Sequence, residues 1–219
     1  MAKDWVGNKN SVFKTLGASN HTDKEREEND YYATQPIAVD ALTDYYDIPY
    51  EDPIWEPACG EGHLTNRLRT LGYRVVSSDL VNRMGPAQYT WDFFKQKEMP
   101  NYVSVDFLFG DRCGHIITNP PYKYAMEFVL HSLKLLPEGG IGAFLLKTTF
   151  LEGQKRFEEL FSKYPPKEIL QFVWRIKCAK NGDFDAIGSS AASYAWFVWE
   201  KGWNGDPIVR WINGLSCEM

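Results

Sequence analysis

The 219-residue chain contains no run of eighteen apolar residues, so no segment is long and apolar enough to span a bilayer as a helix. Cysteine is sparse. Cys59, Cys113, Cys178 and Cys217 are scattered with no Cys-x-x-Cys pair, a pattern that suggests neither a disulfide framework nor a metal site. Residues 1–10 lack the apolar stretch of a secretory signal, and the expectation is a soluble, reduced, cytoplasmic protein. Internal repeats and low-complexity tracts are absent as well. Positive charge is not in excess: the net charge is −5, which taken alone argues against a nucleic-acid partner. What is present is 44% hydrophobic and 15% aromatic residues, enough for one globular domain with a real core and too much for a disordered chain.

The charge is unevenly spread. Residues 147–180 hold eight basic side chains against four acidic ones, a local +4 on a body that otherwise carries −9. Such a segment is either a solvated mixed-charge face or a local anion-binding surface. Lys155, Arg156, Lys177 and Lys180 are its candidate phosphate contacts.

Along the chain, residues 1–30 are polar and without periodicity, and read as an arm that is partly disordered. Residues 31–219 read as a single domain. Pro36 sits well at the start of a short helix running to Tyr46. From Pro53 the pattern turns to strands alternating with helices. Ile54 opens a strand, Leu64, Leu68 and Leu71 lie on one helix face, and residues 73–77 form a second strand with Asp79 just beyond it. Residues 88–90 give a weak third strand, and 115–118 a short apolar one. A helix follows over 125–136, then a buried strand over 141–147, an amphipathic helix over 154–164 and a strand over 169–176. Residues 194–199 and 208–211 flank Gly202-Trp-Asn-Gly205 and predict a hairpin or meander. The alternation predicts an α/β fold with a mostly parallel sheet and an antiparallel edge.

Two constellations carry chemistry. The first is Glu56-Pro-Ala-Cys-Gly-Glu-Gly-His-Leu64, a strand running into a glycine turn and straight into a helix. Glycine lets backbone amides approach a ligand closely, and the carboxyl edge of an open sheet is where α/β folds bind ligands. A lone Gly-x-Gly is equally a plain tight turn. Asp79, nineteen residues beyond Gly60 at the end of the next strand, strengthens the ligand reading, because a carboxylate there accepts from ribose hydroxyls. The second is Asn119-Pro-Pro-Tyr122 at the carboxyl end of an apolar strand. Two prolines fix the backbone and supply no competing amide donors, Asn119 offers a side-chain acceptor and Tyr122 an aromatic face.

Together these segments resemble the S-adenosylmethionine-dependent N6-adenine DNA methyltransferases, over roughly residues 31–211. Residues 56–64 are similar to the family's cofactor loop, and Asn119-Pro-Pro-Tyr122 to its catalytic tetrad. Tyr32-Ala-Thr-Gln-Pro36 resembles the segment that caps the methionine end of the cofactor. Asp79-Leu-Val-Asn-Arg83 and Asp92-Phe-Phe94 resemble the ribose- and adenine-contacting motifs. Residues 14–20 look like the leader of small phage- and prophage-type members. The resemblance implies a Rossmann-like methyltransferase fold, with a mostly parallel seven-stranded sheet, one antiparallel C-terminal strand and helices on both faces. It implies S-adenosylmethionine as cofactor, held by Tyr32, Thr34, Pro36, Glu56, Ala58, Gly60, Gly62, Asp79, Leu80, Asp92 and Phe93. It also implies catalysis by Asn119, Pro120, Pro121 and Tyr122 on an adenine of DNA. Asp106-Phe-Leu108 is a second match to the adenine-contacting motif. Asp92 is preferred for its position, thirteen residues after Asp79. No separate target-recognition domain is visible.

The tetrad serves other substrates too, namely rRNA base amines and protein glutamine amides. The glutamine enzymes typically carry an extra N-terminal helical domain, whereas only about fifty residues precede the first strand here. An inactive cofactor-binding module is disfavoured because loop, acid and tetrad all keep chemically sensible residues.

Overall fold

The computed structural model describes residues 33–85, 88–103, 111–179 and 192–213. In chain order the strands are β1 (Ala33–Thr34), β2 (Ile54–Glu56), β3 (Val75–Asp79), β4 (Tyr89–Thr90), β5 (Asn101–Tyr102), β6 (Asp111–Arg112), β7 (His115–Thr118), β8 (Ile141–Lys147), β9 (Glu168–Phe172), β10 (Cys178–Ala179), β11 (Tyr194–Glu200) and β12 (Ile208–Ile212). The helices are α1 (Ile37–Tyr45), α2 (His63–Thr70), α3 (Ala125–Leu135) and the single turn α4 (Gln154–Arg156). Among the described residues no helix is long and apolar enough to cross a membrane.

The main sheet has the order β12-β9-β11-β8-β7-β2-β3-β4, and all neighbours are parallel except β11, which is antiparallel to both β8 and β9. The α/β class and the mostly parallel sheet are as the sequence predicts. Two details differ. Among the described residues the sheet has eight strands where the resemblance implies seven. The C-terminal pair is not a hairpin, and the antiparallel strand is not at an edge: β11 is inserted between β8 and β9, and β12 crosses to the far edge beside β9. Burial gives the reason. Six consecutive residues of β11 are buried, as in a strand covered on both faces, whereas four of the five in β12 are exposed.

Side-chain alternation sorts the core into two layers. From β8, Ala143 and Leu145 face the layer with α1 and α2, and Phe144 and Leu146 face the layer with α3. On β11, Trp196 and Val198 join the first layer, and Ala195, Phe197 and Trp199 the second. The buried indoles keep their hydrogen bonds: Trp196 Nε1 donates to the Ala38 carbonyl at 2.7 Å, which ties α1 to the sheet, and Trp55 Nε1 donates to Ser78 Oγ at 2.9 Å. The amphipathic helix expected over 154–164 is instead α4 followed by a π-helical segment, Phe157–Phe161, that buries Leu160. A separate two-stranded ribbon pairs β1 with β10, Thr34 opposite Cys178.

Candidate active site

The carboxyl ends of β2, β3 and β7 lie side by side at the middle of the sheet. After β2 the chain turns through Gly60 and Gly62 at positive φ (54° and 81°) and enters α2. Gly62 is favoured by its left-handed backbone, and a Cβ there would also displace the end of the Met84 side chain. The Gly60 amide donates to Asp79 Oδ2 at 2.8 Å, so the turn and the acid after β3 form one unit. Asp79 Oδ1 accepts from the Val81 amide at 3.0 Å and from the Arg83 guanidinium at 3.2 Å. Gln88, itself buried, shapes the loop between, accepting from the Arg83 and Met84 amides and donating to the Val81 carbonyl. Glu56 is buried and accepts from the Thr65 hydroxyl. Burial, reinforced by the nearby Asp79 carboxylate and partly offset by Thr65, pushes its carboxyl up to about 7. Asp92 accepts from the Phe94 amide at 3.1 Å and so caps a short 3-10 turn, while Phe93 is buried against Trp55 and Phe128.

The tetrad follows β7. Asn119 Nδ2 donates to Thr34 Oγ1 at 2.8 Å, so the ribbon of β1 and β10 holds the Asn119 side chain in place. The ribbon is held in turn by the Lys177 amide donating to Gln35 Oε1 at 2.9 Å. Tyr122 hydrogen-bonds through its hydroxyl to the Tyr194 hydroxyl at 3.1 Å, and the Lys147 ammonium lies 4.6 Å from its ring centroid. Burial, with Cys178 and Tyr194 alongside, pushes the Tyr122 phenol well above its usual range, so it stays neutral.

These two halves face one cavity of about 660 Å³. Of the residues singled out in the sequence, Thr34, Glu56, Ala58, Asp79, Leu80, Asp92, Phe93 and all four of Asn119, Pro120, Pro121 and Tyr122 line it. Gly60, Gly62 and Pro36 do not line it: Gly60 supports Asp79, Gly62 starts α2, and Pro36 takes the cap position of α1. Lys155 and Arg156 lie in a smaller neighbouring groove, and Lys177 sits beside the ribbon. Tyr32, Lys180, Asp106 and the arm over 1–30 lie outside the described residues. Sequence reasoning quoted Arg83 in the segment after Asp79 without assigning it a role, and it missed Lys147, Cys178 and Tyr194 around Tyr122. Lys147 and Tyr194 are partners in register across β8 and β11, a relation that only the strand order reveals.

No protein-family model matches the sequence, and no curated protein matches it either. Solved structures do share its fold. A type I restriction-modification methyltransferase subunit from Streptococcus thermophilus is 13% identical at a TM-score of 0.54, over 83% of this chain and 47% of that one. A putative class I S-adenosylmethionine-dependent methyltransferase from Listeria monocytogenes is 12% identical at 0.55, over 94% and 72%. A putative hemolysin from Streptococcus thermophilus is 13% identical at 0.51, over 80% and 67%. The chain thus spans about half the length of the restriction-modification subunit it matches. At such identities a likeness speaks to architecture and not to activity. The α/β fold with its large, mostly parallel sheet is similar to that of the S-adenosylmethionine-dependent methyltransferase from Listeria monocytogenes.

Proposed function

We propose that the chain binds S-adenosylmethionine in the 660 Å³ cavity and methylates the N6 amine of an adenine in DNA. The observation that carries this reading is the Asn119 amide, oriented by Thr34 within the same cavity that Asp79 and Glu56 line. The residues fit the cofactor. The volume is in the range of small-molecule sites. Asp79 offers a carboxylate to ribose hydroxyls, and Leu80, Asp92 and Phe93 line the region for its adenine. Glu56, at the end of β2, offers a carboxyl to a cationic ammonium. When bound, the cofactor supplies an electrophilic methyl on a cationic sulfur.

The chain's own residues supply orientation. The exocyclic amine of adenine is a poor nucleophile because its lone pair is conjugated into the ring. Asn119 Oδ1 and the Pro120 carbonyl accept its two hydrogens, which favours a pyramidal nitrogen with its lone pair free to attack. As the nitrogen–carbon bond forms the methyl–sulfur bond breaks, its electron pair staying on a neutral thioether. One proton then passes from the nitrogen to solvent. No strong base is needed, and catalysis is orientation plus preorganised dipoles. An adenine in a duplex must be flipped out to reach such a pocket. Lys147 covers one face of Tyr122, so the base stacks on the other. Stacking on one aromatic ring is worth roughly 1–3 kcal/mol, comparable to the cost of unstacking.

The test is transfer of a labelled methyl group from S-adenosylmethionine to DNA, rRNA and protein fractions in parallel. Label in DNA as N6-methyladenine is the expected result. Label in rRNA or in protein alone would overturn the DNA reading, and no label anywhere would overturn the enzyme reading.

A further inference from the structure

Beyond Tyr122 the carboxyl edge carries a second depression of about 180 Å³, which shares Tyr122 and Lys123 with the main cavity. Its floor is the buried Phe150, and three cations, Lys123, Lys155 and Arg156, line it against one carboxylate, Glu127. The guanidinium of Arg156 is a built feature. One terminal nitrogen donates to the carbonyls of Glu152 and Thr149, and the group lies 5.2 Å from the Phe150 ring centroid. Gly153, at φ 119°, makes room for it: a Cβ there would stand 3.0 Å from the same nitrogen. All of these partners are neutral. Among the described residues no carboxylate pairs with Arg156, and its Nε is buried without a hydrogen-bond partner. A guanidinium fixed in orientation but not neutralised is suited to a phosphate, which accepts several N–H donors at once.

We infer that this groove holds a phosphodiester of the strand whose base is presented to Asn119, with Arg156 as the oriented contact and Lys155 as a point charge. The inference rests on the nucleobase-methyltransferase reading above. It follows from adjacency, because Tyr122 belongs to both hollows and a phosphate in the groove lies immediately beside a base on that ring. Phosphate contacts position a strand without reading its sequence, so the groove accounts for how a chain of net charge −5 holds a polyanion through one local surface.

The experiment measures binding of a fluorescein-labelled, adenine-containing single-stranded DNA, and of RNA of the same sequence, across a salt series, by the full chain saturated with S-adenosylhomocysteine. Lys155→Gln, which leaves every bond of Arg156 in place, should lower the log–log salt slope by about 0.7. The Lys155→Gln/Arg156→Gln double variant should lower it by about twice that, equally on DNA and RNA. Calorimetric affinity for S-adenosylmethionine should be unchanged in both. Unchanged slopes in both variants, with the wild type binding and methylating, would overturn the groove and leave the function standing. A wild type that binds cofactor but neither nucleic acid would overturn both.

Discussion

The two halves of the cavity are built by opposite strategies. On the cofactor side, among the described residues, the side-chain bonds of Asp79 come from nearby sequence: Gly60 is nineteen residues away, Val81 two and Arg83 four. On the tetrad side the bonds come from remote segments: Thr34 is eighty-five residues from Asn119, and Tyr194 is seventy-two from Tyr122. The cofactor half is therefore a local supersecondary unit. The tetrad half exists only once the sheet is fully assembled and the β1–β10 ribbon has closed over it. Damage at a distance should accordingly disable chemistry before it disables cofactor binding.

The largest expected effect tests the tetrad half directly. Asn119→Ala removes the acceptor for the amine and should lower the methyl-transfer rate by about 10²–10³, the loss typical of one preorganised partner in a transition state. Cofactor affinity should barely move, since Asp79 and Glu56 are untouched. Thr34→Val, which removes the bond to the Asn119 amide, should cost less rate, up to about a hundredfold. Single-turnover rates beside calorimetric cofactor affinities check both. Equal loss of rate and of cofactor affinity would break the distinction between the halves.

Next in size is a pH effect on the cofactor half. Glu56 holds its proton more tightly in the folded protein, with its carboxyl at about 7, than the usual carboxylate value of 4.5. Its contribution to stability is fully present below about 4.5, falls as pH rises towards 7, and is level above that. The cofactor-free protein should thus be less stable at pH 8 than at pH 5 through this group, by an amount on the order of 3 kcal/mol. Glu56→Gln should level the profile between those pH values in denaturant titrations. A bound ammonium favours the ionised form, so cofactor binding at pH 6 should release protons, which calorimetry in buffers of different ionisation heat detects.

The same contrast governs what the sequence reveals. The strands His115–Thr118 and Ile141–Lys147 are legible to the residue, because each is an unbroken apolar run with a clear stop. The glycine turn and Asp79 are legible because their relation is local. The hairpin expected at the C-terminus is wrong because adjacency in sequence says nothing of strand order once a strand inserts between two others. Lys147, Cys178 and Tyr194 carry no local signature at all. They gather at Tyr122 because β8 and β11 pair in one register and β10 meets β1.

Asp79→Ala should weaken S-adenosylmethionine binding by roughly 1.5–3 kcal/mol, the worth of a hydrogen bond to a charged group. Methyl transfer at saturating cofactor should be largely preserved. Unchanged affinity in a folded variant would remove Asp79 from the cofactor site.

The smallest effect concerns Arg83 and should run the other way. A carboxylate has about four lone-pair positions. In Asp79, Oδ2 uses one on the Gly60 amide, and Oδ1 uses two, on the Val81 amide and the Arg83 guanidinium. One position remains, on Oδ2, while a ribose presents two hydroxyls. Engaging both requires a partner to leave. The backbone amides are fixed by the turn and by the Gln88-organised loop, so the partner that leaves is Arg83. Its ion pair is partly buried, with side-chain exposures of 19% and 13%. Arg83→Met keeps the apolar stem and removes the competitor, so cofactor affinity should rise by up to about fivefold, with the gain shrinking as salt weakens the ion pair in the wild type. Weaker binding by Arg83→Met would mean instead that the guanidinium holds the ligand itself. The acid would then meet only one ribose hydroxyl, and the cofactor half would not be complete in local sequence alone.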